Sequence, residues 1–174
     1  VHFWTVGSEA IECALRLARE HGLRISSDKL HVLTHQADYH GWTLGAHQVS
    51  GDSARKDWLP KPDPAIHHIP FPMHQSGNSD NTDWSQFLAD NLAELSSNGI
   101  SPDKVCAVFI ETLQGWGALP LPKPYVQALR KWADDNDVLI IFDEVQTGFA
   151  RTGRLFAHEH YDVKADLICV GKGL

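Results

Sequence analysis

The chain has 174 residues, with ordinary hydrophobic (43%) and charged (21%) content and 15 basic against 22 acidic side chains, a net charge of −7. That length can bury a sizeable core in one domain, and the acidic balance argues against nucleic acid as the main partner. No apolar run reaches the roughly 18 residues of a membrane span, so no membrane segment is expected.

The three cysteines, Cys13, Cys106 and Cys169, are widely spaced inside apolar or helical patterns. That is core usage in a reducing, cytoplasmic compartment and not a disulfide framework or zinc site. The eleven histidines are scattered, with no HExxH and no paired cysteines, so no metal site is expected. The chain begins without Met and stops just after Gly171-Lys172-Gly173. An internal segment of a longer protein is therefore expected, and any targeting peptide would lie upstream of Val1.

Along the chain, Phe3 to Val6 reads as a strand end, with Gly7-Ser8 as the turn leaving it. From Ser8 the apolar residues Ala10, Ile11, Ala14, Leu15, Leu17 and Ala18 repeat at helical spacing, ending near Gly22. Ser8 is a natural N-cap, and a glycine and a hydroxyl at a helix start can hold an anion or simply cap. Leu30 to Thr34 is a second strand. The loop after it carries Asp38-Tyr39-His40-Gly41-Trp42-Thr43, whose aromatics could stack on a planar ligand or merely cover the sheet.

Residues 50–83, rich in Pro, Gly, Ser, Asn and Asp, read as a long excursion with a short extended piece at His67 to Ile69. Trp84 to Leu95 is an amphipathic helix closed by Asn98 to Pro102. Val105 to Ile110 is a buried strand ending on Glu111, and Thr112 to Pro122 is a loop. Lys123 to Asn136 is a helix whose Tyr125, Val126, Leu129 and Trp132 face the core. Val138 to Phe142 is a strand buried on both faces, followed at once by Asp143 and Glu144. Leu155 to Tyr161 is predicted as a short helix and Asp166 to Val170 as the last strand. Strands alternating with helices predict an α/β fold, a three-layer αβα arrangement around a mostly parallel sheet.

Four element ends bring polar groups to one rim: Gly7-Ser8, Glu111, Asp143 and Lys172. Ligands of open α/β sheets bind at that rim, although a lone aspartate there can be a cap and a lone lysine a surface charge. Neither GxxxxGK[ST] nor GxGxxG is present. A lysine, an aspartate on a neighbouring strand and an anion cradle at a helix start together suit pyridoxal phosphate.

These residues also carry a resemblance. Gly7-Ser8-Glu9-Ala10, Tyr39-His40-Gly41-Trp42-Thr43, Glu111 with Gln114-Gly115, Asp143 to Phe149 with Arg151-Thr152-Gly153, Phe156-Ala157, Asp166-Leu167-Ile168 and Gly171-Lys172 run in one order along the chain. In this the chain resembles class III (ω-type) aminotransferases, pyridoxal-phosphate enzymes of fold-type I. The resemblance implies that residues 1–174 are part of the cofactor-binding large domain, with an N-terminal segment and the C-terminal small domain absent. It implies transamination between an amino acid or amine and a keto acid or aldehyde through a lysine Schiff base. An aminomutase, racemase or decarboxylase on the same scaffold, or a non-catalytic piece, is the alternative.

The roles it implies are specific. Lys172 is the Schiff-base lysine and proton carrier, and Asp143 partners the pyridine nitrogen. Gly7 and Ser8 hold the phosphate, Tyr39 and Val145 pack the two ring faces, and Gln146 bonds near the ring's 3′-oxygen. His40 and Glu111 complete the cofactor site, Glu111 as a structural or substrate-side carboxylate, and Arg151 braces its loop. A homodimer with the site at its interface is also implied. Three positions depart from the family pattern: Val6 and Ala150 replace small residues, and Trp116 stands where many members have Glu. That last change puts dual recognition of glutamate and ω-amines in doubt and suggests a larger, more apolar site on that side.

Overall fold

The computed structural model describes residues 1–73 and 82–173. In chain order the elements are α1 (Gly7–Ile25), β1 (His31–His35), α2 (Leu44–Val49), β2 (Ile66–Ile69), α3 (Trp84–Ser97), β3 (Val105–Glu111), β4 (Leu113–Gln114), β5 (Leu119–Pro120), α4 (Lys123–Asp135), β6 (Leu139–Asp143) and β7 (Leu167–Cys169). Short 3₁₀ turns stand at Ser53–Arg55, Pro102–Lys104 and Ala157–Tyr161.

Five strands form one parallel sheet in the order β2-β1-β3-β6-β7, and β4 and β5 form a small antiparallel ribbon. The central strand β3 is buried along its whole length, as strands covered on both faces must be. Alternate residues feed two cores. Val108, Ile110, Ile140 and Phe142 pack with Tyr125, Val126 and Leu129 of α4 and with Leu88 of α3. Ala107, Phe109 and Ile141 pack with Ile11, Leu15 and Ala18 of α1. The result is the expected α/β sandwich of helix, sheet and helix. Among the described residues no helix is long and apolar enough to cross a membrane.

Several expectations are corrected. Phe3 to Val6 is not a strand; Val1, Phe3, Trp4 and Val6 are exposed, and no strand among the described residues pairs with them. The N-cap of α1 is Val6, not Ser8, and it makes no side-chain cap bond. The Glu9 carboxylate instead accepts from the Thr5 amide and hydroxyl at 2.8 and 2.6 Å. The excursion at 50–83 contains a true strand, β2, which pairs with β1 from Val32↔Ile66 to His35↔Ile69; its residues 74–81 lie outside the described residues. Its His67 ring stacks on His31 with centroids 5.0 Å apart. The loop Thr112 to Pro122 holds the β4–β5 ribbon, and the helix at Leu155 to Tyr161 is one 3₁₀ turn.

Helix α2 has no counterpart in the sequence reading. With only six residues it is too short for periodicity to show. Glu12 of α1 holds its start, Oε1 accepting from the Gly45 and Ala46 amides at 2.7 and 3.2 Å. A Cβ on Gly45 would lie 2.3 Å from Glu12 Oε2, so this clamp needs glycine.

Phe142 is fully buried in the α4-side core. Truncating it to alanine leaves a cavity beside β3, and Phe142→Ala is expected to lower the unfolding free energy by about 3–5 kcal/mol in urea titrations.

Candidate active site

The parallel register of β3 and β6 sets Glu111 directly beside Asp143. Because side chains alternate along a strand, both follow Phe109 and Ile141 onto the α1 face. There a cavity of about 1330 Å³ opens, lined by Gly7, Ser8, Tyr39, His40, Glu111, Asp143, Val145, Gln146 and Lys172 among others. Every site residue expected from the sequence therefore lines one cavity.

Asp143 is nearly buried. One oxygen, Oδ2, accepts from His40 Nδ1 at 2.8 Å, and Oδ1 accepts from the Val145 amide at 3.0 Å. His40 thus stands behind Asp143, and its Nε2 lies 3.2 Å from Thr34 Oγ1. Burial works against a charged His40. The hydrogen bond to Asp143 and the nearby carboxylates outweigh it and raise its pKa above the ordinary imidazole value.

Glu111 links two loops. Oε1 accepts from the Tyr39 amide at 2.6 Å, and Oε2 accepts from the Gly115 amide at 3.0 Å. Burial, then the charge of Asp38, pushes its pKa up to about 7. Its two oxygens are occupied by backbone, so of the two roles open to it the structural one is what the geometry supplies.

At the opposite wall, Gly7 opens α1 where the first N–H groups have no partner within the helix. A Cβ on Gly7 would lie 2.8 and 2.9 Å from the two methyls of Val145, and one on Gly171 would lie 3.3 Å from Val145 Cγ1. Val145 therefore sits wedged between the helix start and the strand tip, and only glycine leaves it room. Beyond β7, Lys172 has a φ of 51°, in the left-handed region that costs an L-residue about 1–2 kcal/mol. Its Nζ donates to Gln146 Oε1 at 2.6 Å.

Tyr39 is half-buried, its ring edge-on to Trp42 and Trp116 with centroids 5.8 and 6.0 Å away. Trp116 does not leave that side simply apolar. The Arg55 guanidinium lies 4.4 Å from its ring centroid and 5.6 Å from that of Trp42, within cation–π range. Arg151 is exposed and has no hydrogen-bond partner among the described residues, so it does not brace its loop. Glu144 does that. Fully buried, it accepts from the Ala157 and His158 amides at 3.0 and 2.7 Å and from the Thr147 hydroxyl.

Sequence reasoning missed that role for Glu144, and it also missed Asp38. A carboxylate directly after a buried strand was read for Asp143 and equally marks Glu144. The signal for Asp38 was its place between His35 and His40. The assembled donors match what pyridoxal phosphate needs: N–H groups at a helix start for an anion, a carboxylate for a ring nitrogen, and an amine for an aldehyde.

All of residues 1–174 match the family model described as Aminotransferase class-III. The chain is 35% identical over 176 residues to an acetylornithine aminotransferase of Caldanaerobacter subterraneus subsp. tengcongensis, covering 100% of this chain and 40% of that protein. It is similar to the solved S-selective transaminase from Arthrobacter sp., at 32% identity and a TM-score of 0.81, covering 98% of this chain and 38% of that one. A taurine:2-oxoglutarate aminotransferase from Bifidobacterium kashiwanohense, solved with PLP and glutamate, gives 31% identity and a TM-score of 0.80, covering 95% of this chain and 37% of that one. The chain thus spans about 40% of the length of the curated relative it matches.

Glu111 carries a pH signature. Its folded pKa of about 7 lies above the ordinary 4.5, so the folded state holds the proton more tightly. That contribution to stability is complete below pH 4.5, falls as pH rises, and is gone above 7. Between those limits the wild type is expected to lose up to about 3 kcal/mol relative to Glu111→Gln, measured by urea unfolding at pH 4.5 and 8.

Proposed function

The chain belongs to the class-III aminotransferase family, and from that premise we propose that it forms the cofactor-binding core of a pyridoxal-5′-phosphate-dependent transaminase. The proposed substrates are an amino acid or amine as donor and a keto acid or aldehyde as acceptor. The observation that carries this reading is that Asp143, Lys172 and the glycine-built start of α1 line one cavity.

When bound, the cofactor supplies an electron sink for the charge left as a substrate C–H bond breaks. This chain's residues do the rest. Gly7 and Ser8 receive the phosphate at the start of α1, where the helix dipole favours an anion. Asp143, held by His40 and the Val145 amide, presents its charge to a protonated ring nitrogen. With the cofactor bound, that carboxylate would favour the cationic form of the ring. Val145 offers its methyls as one flat wall and Tyr39 its ring as another. Lys172 would hold the cofactor through Nζ, and the same atom could carry a proton. Gln146 positions that amine before the cofactor arrives.

An aminomutase, racemase or decarboxylase would use the same Asp143 and Lys172. Transamination is favoured by the acetylornithine aminotransferase and the transaminases to which the chain is similar. A homodimer belongs to the same proposal, supported by the exposed Phe3, Trp4, Trp42 and Trp116 around the cavity mouth. A cytoplasmic location is supported by three free cysteines.

In the full-length protein with pyridoxal phosphate, a visible absorption band is expected that Lys172→Ala abolishes. An amino donor should bleach it and a keto acid restore it. Asp143→Asn should keep the band and lower kcat by roughly 10²–10³. A folded Lys172→Ala protein with an unchanged band would overturn the assignment.

A further inference from the structure

Among the buried charged groups that the mechanism leaves unused, one stands beside its residues. Asp38 is fully buried in the loop after β1. Its Oδ2 lies 3.4 Å from His35 Nδ1, 3.9 Å from His40 Nε2 and 3.4 Å from the Glu111 amide. Its Oδ1 has no hydrogen-bond partner among the described residues. A proton placed on Oδ1 would thus have no acceptor, while an ionised Asp38 needs a positive neighbour to offset its burial.

Two imidazoles are candidates. His35 has its Nε2 2.8 Å from Tyr125 Oη. Tyr125 is fully buried with its pKa pushed far up, so its hydroxyl keeps its proton and can donate to Nε2. His35 Nδ1 faces Asp38 Oδ2 at 3.4 Å but makes no hydrogen bond there.

His40 is different. Its Nδ1 serves Asp143 at 2.8 Å, which takes an N–H at that nitrogen. A neutral ring could accept from the Thr34 hydroxyl at Nε2, but it would leave the Asp38 carboxylate, 3.9 Å away, without a positive neighbour. A second proton, on Nε2, supplies that neighbour and can donate to Thr34 Oγ1. The charged and titratable groups facing His40 are Asp38 from the same loop, Asp143 from β6, Glu111 from β3 and His68 from β2. Of these only His68 is basic. Burial depresses it to about 4, so it is neutral near pH 7.

We propose that Asp38 is a positioning residue of this site: its carboxylate keeps His40 as an imidazolium, and His40 in turn fixes Asp143 as the anion facing the cavity. Asp38 touches no reacting atom and acts through the ring between. The raised pKa of His40, despite complete burial, agrees with this arrangement. The consequence for catalysis rests on reading Asp143 as the partner of the cofactor's ring nitrogen, but the charge state of His40 does not.

The test follows the His40 ring in the full-length protein by NMR of ¹⁵N-labelled histidine, first without and then with cofactor. The His40 signal is the one lost in His40→Gln. The wild-type ring is expected to be protonated at pH 7, and Asp38→Asn to lower its pKa by about one unit or more. Asn keeps the size of the side chain and an acceptor for the Glu111 amide, so a purely structural Asp38 would leave the titration in place. An unchanged His40 pKa in folded Asp38→Asn overturns the proposal. Should that variant fail to fold, Asp38→Ser is titrated in its place with the same two readings, and a wild-type His40 that is neutral at pH 7 overturns the proposal. With cofactor bound, Asp38→Asn should also shift the pH dependence of the visible band. Absence of any Lys172-dependent band would instead refute the cofactor reading and leave the cofactor-free titration standing.

Discussion

The pairing of β3 with β6 is the constraint on which the rest depends. Five consecutive parallel pairs, from Ala107↔Leu139 to Glu111↔Asp143, fix which carboxylates share the rim. A slip of one residue would exchange the two faces of β6. Asp143 would then point toward α3 and α4, and Phe142 would enter the cavity. The two apolar cores resist such a slip, since each is filled by alternate residues of the same strands. The hydrophobic effect that stabilises the sandwich therefore also aims the charge, and no separate device is needed to orient it.

Gathering Asp38, Glu111 and Asp143 under one roof is costly, because burying a charge carries a penalty of several kcal/mol per ion. The structure offsets this locally. Backbone amides of Tyr39, Gly115 and Val145 reach carboxylate oxygens, and the His40 ring bridges toward Asp143. Most of these donors lie in loops just after strands, where the backbone has left the ladder and its N–H groups are free to turn inward. Loop and ligand site are thus one object: the same hydrogen bonds that order residues 38–40 and 115 also hold the carboxylates in place.

Much of this was legible in the sequence because burial writes itself as composition. VCAVFI and VLIIFD could only be strands covered on both sides, and the carboxylates ending them could only lie at the rim. Lys172 and Tyr39 were read from the residues themselves, His40, Val145 and Gln146 were found by resemblance, and the structure gathers all five on one cavity. What escaped was whatever depends on partners distant in sequence. Of strand β2 the extended piece at His67 to Ile69 was read but its pairing with β1 was not, because an edge strand receives only half of its burial from the sheet. Helix α2 is held by Glu12 of another helix. Ser8 looked like a cap, yet the N-cap of α1 is Val6, two positions earlier, and Ser8 already lies inside the helix. Arg55 gains meaning only when Trp42 and Trp116 close around it.

The bonds that build the cavity wall join residues remote along the chain: Tyr39 to Glu111 spans 72 positions and His40 to Asp143 spans 103. No local segment contains the site, so it exists only in molecules whose whole sheet is in register. Whatever binds there therefore selects the folded population and adds to its stability by mass action, by about 2.7 kcal/mol at a free concentration one hundred times Kd. For this sheet, occupancy and folding are one equilibrium, and a substitution that loosens β3 against β6 would show itself first as weakened ligand affinity.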